Sequence, residues 1–64
     1  MKRRDLLIYL TQNGCELLRE GSEHSVWWNP NTRVRTSIPR HREINDYTAI
    51  KICLQLGLEP TISQ

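Results

Sequence analysis

One histidine and a run of arginines are the residues in this chain best suited to chemistry. His24 follows the turn Glu20-Gly21-Ser22-Glu23, in which a glycine lets the backbone approach a bound group. An imidazole, with an ordinary pKa of ~6.5, takes up or releases a proton near neutral pH. Arg33, Arg35, Arg40 and Arg42 lie in a stretch, 33–42, that contains no acid. Lys2, Arg3 and Arg4 form a second basic cluster, and only Lys2 and Lys51 of the nine cationic side chains are lysine. The planar guanidinium suits two-point contacts with phosphate, so the pattern points to an anionic partner.

RNA carries its own nucleophile, the 2′-hydroxyl. One base, positive charge for the phosphorane and in-line positioning suffice to cleave it without a serine, a cysteine or a metal. A positioned general base contributes ~10²–10⁴ in rate, which leaves the arginines to stabilise developing charge. His24 is the residue for the base. Trp28 has two readings of equal weight, stacking on a nucleobase or covering a sheet edge. Ser22 and His41 are accessory candidates, although His41, within Pro39-Arg40-His41-Arg42, reads more simply as a loop histidine bonding local backbone. A lone histidine in a small domain is more often structural than catalytic, so a binding module without turnover stands as the alternative.

Size narrows the choice. Sixty-four residues with a net charge of +2 make one domain, 1–64, burying only about 60% of the surface its unfolded form exposes. Such a chain has no room for a cofactor fold beside a substrate domain, and no cofactor is expected. Cys15 and Cys53 are far apart, with no CxxC motif, and are expected as reduced thiols. No metal site is expected, since four clustered zinc ligands are lacking. The apolar run 6–10 is shorter than a signal peptide's core of ~7–15 residues and far shorter than the ~18 of a membrane span. The expectation is a cytoplasmic protein with no membrane partner.

The positions of these residues depend on the elements that carry them. Leu6, Leu7 and Leu10 make a helical stripe over 3–13, stopped at Asn13-Gly14. Strands are expected over 15–19, 24–28 and 33–38, with Pro39 closing the last. Asn29-Pro30-Asn31-Thr32 makes the second turn. After the loop 40–45, Asn45 or Asp46 caps a helix to about 56, with Ala49, Ile52, Cys53 and Leu56 as its stripe. The tail 61–64 is expected to fray. The order α-β-β-β-α folds as a two-layer α+β domain, with three antiparallel strands and both helices on one face. A four-residue loop 29–32 would pair Trp28 with Arg33 and His24 with Ser37. His24, Val26, Trp28, Arg33 and Arg35 would then share the open face, with Trp27, Val34, Thr36 and Ile38 against the helices. In the first strand, Leu17 and Leu18 cannot both point inward.

Lys2-Arg3-Arg4-Asp5-Leu6-Leu7 with Asn13-Gly14, Gly21-Ser22-Glu23-His24-Ser25-Val26-Trp27, Ile38-Pro39-Arg40-His41 and Lys51-Ile52-Cys53 with Leu56-Gly57 together resemble the HicA (YcfA-like) toxin family. The resemblance runs over nearly the whole chain in the same order. It implies a double-stranded-RNA-binding-like fold and a messenger-RNA endonuclease whose catalytic histidine stands at His24. It also implies a HicB antitoxin that binds and masks the toxin, the free toxin being a monomer. Many members read Gly-Ser-His at this point, often with a second histidine; here the residues are Ser22-Glu23-His24, then Ser25. A toxin that acts only through its antitoxin is a further alternative within the family.

Overall fold

The computed structural model describes residues 1–60; the expected fraying of 61–64 lies outside them. Helix α1 spans Arg3–Gln12, strands β1, β2 and β3 span Glu16–Glu20, His24–Asn29 and Val34–Pro39, and helix α2 spans Asp46–Gln55. The strands form one antiparallel sheet in the order β1-β2-β3. Leu6 and Leu10 of α1 and Ala49, Ile52 and Cys53 of α2 share a single core with Trp27 and Ile38. Both helices therefore lie on the face that Trp27 and Ile38 present, and the expected two-layer α+β arrangement is observed.

The helix ends follow from local chemistry. α1 stops where Gly14 takes a φ of +87°, a conformation costly for residues with a Cβ. The Cys15 and Gly14 amides then donate to Leu10 O at 2.9 Å and Thr11 O at 3.1 Å, satisfying carbonyls the helix leaves over. Asn45 caps α2, its side-chain oxygen accepting from the Tyr47 amide at 2.8 Å.

Two details of the sheet depart from the sequence expectation. The second turn begins one residue later than expected and takes in Arg33, whose φ of +62° places it outside the extended region. Its amide donates to Asn29 O at 2.7 Å. Asn29 is the last residue of β2 and is buried; its side chain donates to Leu56 O at 2.7 Å and accepts from the Asn31 amide at 2.9 Å. This anchoring moves the turn to 30–33, so that Pro39 is the last residue of β3 instead of its stop. His24 pairs with Pro39 and Trp28 with Arg35, in place of Ser37 and Arg33. A slip of two leaves every side chain on its expected face, and only Arg33 drops out of the strand. Val34 has the parity of the helix face but is 40% exposed at the end of the sheet.

β1 carries a bulge. Leu17 pairs with Trp27 and Arg19 with Val26, leaving Leu18 as the extra residue. This resolves the conflict between the two leucines, since neither is buried: they are 45% and 41% exposed. It also reverses the parity of the strand beyond Leu18, which turns Arg19 onto the open face.

Candidate active site

His24 is the first residue of β2 and is exposed on the open face of the sheet. A shallow depression beside it is lined by Arg19, Gly21, Ser22, Glu23, Val26 and Ser37. The imidazole thus stands with one guanidinium, two hydroxyl side chains and one carboxylate. Arg19, Val26 and Ser37 form one rung across the three strands, and Glu16, Trp28 and Arg35 form another further along.

The turn that carries His24 is held at both roots. The Gly21 amide donates to the His24 carbonyl at 2.8 Å. A Cβ on residue 21 would lie 2.8 Å from that same oxygen, so the backbone approach requires glycine. Ser25 is fully buried on the opposite face. Its hydroxyl accepts from Arg3 Nη2 at 2.8 Å and donates to Glu20 Oε1 at 2.7 Å. Arg3 Nε donates to Pro39 O at 2.9 Å. Arg40 Nη1 donates to Glu20 Oε1 at 3.0 Å and to Gly21 O at 2.9 Å. The Arg40 amide donates to Glu23 O at 3.1 Å.

The basic residues read from the sequence fall into three places. Arg35 joins Trp28 on the open face, where Trp28 is half-buried. Arg33 sits in the turn at the far end of β2 from His24. Lys2, Arg3, Arg4, Arg40 and Arg42 gather around a groove of about 750 Å³ along α1, with Leu7, Ile8 and Trp27 among its walls. Of these, Arg3 and Arg40 are bound within the protein, and Arg4 lies 3.8 Å from Asp5. Ser22 is brought beside His24; His41 is exposed on the loop after β3 and does not line the depression. Sequence reasoning missed Arg19, Glu20 and Ser25, and it placed Ser37 opposite His24 where the observed partner is Val26. The bulge hid Arg19. Ser37 was legible as an open-face residue by its alternation with Ile38.

Among the described residues, no three His, Cys, Asp or Glu side chains cluster as metal ligands, and no helix is long and apolar enough to cross a membrane. Cys15 and Cys53 are both buried. Burial raises the Cys15 thiol above its ordinary value, and the nearby Cys53 raises it further.

The family model described as the HicA toxin of bacterial toxin-antitoxin matches residues 3–58. The chain belongs to the HicA toxin family. The match takes in both helices and all three strands of this HicA domain, and the His24 turn lies within it. Comparison with curated proteins and with solved structures gave no match. HicA toxins belong to bacterial toxin–antitoxin systems, and membership of the family points to an antitoxin as partner.

Proposed function

We propose that this HicA toxin is a metal-independent endoribonuclease that cleaves messenger RNA with His24 as general base. The observation that supports this best is the exposed imidazole beside Arg19 and Ser37 on an open sheet face. His24 removes the proton of the 2′-hydroxyl, and the oxygen attacks the adjacent phosphorus. The bond to the 5′-oxygen breaks and that oxygen takes a proton from solvent water, leaving a 2′,3′-cyclic phosphate and a 5′-hydroxyl end. Arg19 lines the same depression as His24 and in this reading meets the phosphate; charge stabilisation of this kind is commonly the largest single contribution to such a rate. Arg35 and Trp28 continue the RNA path along the open face, with phosphate and base contacts respectively. The partner is a HicB-like antitoxin that covers His24.

The test is cleavage of a defined RNA by purified wild type and His24→Ala. We expect a loss of about 10²–10⁴-fold, with RNA affinity largely kept, because the imidazole acts in the transition state and not in ground-state binding. His24→Gln behaves alike, since an amide cannot accept the proton. EDTA leaves cleavage intact. Cleavage at the wild-type rate by His24→Ala, a need for added Mg²⁺, or a 5′-phosphate end overturns the proposal. RNA binding with no cleavage by the wild type means a binding module.

A further inference from the structure

Two of the arginines that composition marks as RNA ligands, the half-buried Arg3 and the exposed Arg40, bond within the protein. Arg3 directs its fork at Pro39 O, 2.9 Å away, and Ser25 Oγ, 2.8 Å away. Pro39 is the residue paired with His24 across the sheet, and Ser25 follows His24 in β2. One guanidinium from α1 therefore holds the residue that follows the histidine, through its hydroxyl, and the histidine's cross-strand partner, through its carbonyl. Ser25 passes its hydroxyl proton toward Glu20 Oε1 at 2.7 Å, and the same oxygen accepts from Arg40 Nη1 at 3.0 Å. Arg40 closes the far side by donating to Gly21 O at 2.9 Å. The chain Arg3–Ser25–Glu20–Arg40 thus braces the root of the turn that carries His24 and ties it to α1 and to the segment after β3.

We propose that Arg3, Ser25, Glu20 and Arg40 are positioning residues that fix the turn and strand end bearing His24, and that Arg3 does not bind RNA phosphate. The inference rests on His24 being the base. Its physical ground is that charge-assisted hydrogen bonds at these distances, one through a fully buried hydroxyl, hold geometry tightly. A reacting group displaced by ~1 Å loses about 10²-fold in rate.

The experiment is steady-state RNA cleavage by Arg3→Lys, Arg3→Gln, Ser25→Ala and Glu20→Ala, with amide hydrogen exchange measured on the same proteins without RNA. Lys at position 3 keeps the charge and loses the two-point fork, which separates grip from phosphate attraction. Each variant is expected to lose about ten- to hundredfold in kcat, with KM within about twofold and an unchanged salt slope. The Gly21 amide, bonded to His24 O in the wild type, exchanges faster, while Ala49 and Ile52 stay protected. A raised KM with kcat intact, or a salt slope flattened by ~0.7 in the charge-neutral Arg3→Gln, makes the residue a phosphate contact and overturns the proposal. Unchanged kcat and unchanged Gly21 exchange also overturn it. Glu20 is exposed on an edge strand, so Glu20→Ala keeps its fold even where the buried Ser25→Ala does not. If the wild type fails to cleave, the reading of His24 as a base falls, and Gly21 exchange alone decides whether the clamp exists.

Discussion

At the scale of single residues, the site depends on how closely one backbone passes another. The carbonyl of His24 sits 2.8 Å from where a Cβ on residue 21 would be, so Gly21→Ala has to shift the turn. We expect it to lower cleavage by about 10²-fold, the cost of ~1 Å of misplacement, while thermal unfolding shifts by only a few degrees because the turn is exposed. Cleavage kinetics beside a melting curve check this; a fully active Gly21→Ala shows that the turn does not set the histidine. Arg19 makes the second prediction at this scale. Arg19→Gln is expected to reduce kcat and to flatten the salt dependence of RNA binding by ~0.7 per lost contact. Binding measured from low to moderate salt reads the slope directly.

At the scale of elements, the second turn decides the register of β3, and Asn29 decides the turn. Its buried amide joins the end of α2, through Leu56 O, to the Asn31 amide. Asn29→Ala removes a donor and an acceptor together and leaves a buried carbonyl unpaired, a loss of about 1–3 kcal/mol. Denaturant unfolding measures it, and a variant as stable as the wild type shows that the register is held elsewhere. The cap at Asn45 is worth about 1 kcal/mol by the same measurement on Asn45→Ala. The bulge at Leu18 acts on function more than on stability. By taking in one extra residue, β1 turns Arg19 from the helix face to the face that bears His24.

For the whole molecule, a core of ten buried apolar residues among those described leaves little margin. A partner that binds only the folded toxin adds RT ln(1 + [L]/Kd), about 2.7 kcal/mol at a hundredfold excess over Kd. The toxin is therefore expected to unfold at a higher temperature when complexed with its antitoxin, and a melting point independent of antitoxin concentration contradicts this. The core also titrates. Cys15 keeps its proton to a pH above the ordinary thiol value of 9.0 because burial disfavours the thiolate, with Cys53 adding to the effect. The unfolded chain releases that proton first, so this contribution to stability is present below the ordinary value and is lost as pH rises through the folded one. Denaturant midpoints for wild type and Cys15→Ala from neutral pH to about 10 isolate it. The gap between the two is expected to narrow at high pH.

Much of this architecture is legible in local chemistry. The stripes Leu6–Leu10 and Ala49–Ile52–Cys53, the stop at Gly14 and the cap at Asn45 are contiguous along the chain, and period and propensity act over such short spans. The face of His24, Val26 and Trp28 follows from the period of two, which a register slip of two leaves unchanged. What the tertiary structure alone decides is every feature set by a contact distant in sequence. Arg33 left the strand because Asn29 is anchored to Leu56. Arg19 joined His24 because β1 bulges against β2. Arg3 and Arg40, identical by type to any phosphate-binding arginine, bond within the protein because folding brings Ser25, Pro39 and Glu20 within their reach. A sequence names the charge a side chain carries; which partner neutralises it is settled only when the chain closes on itself.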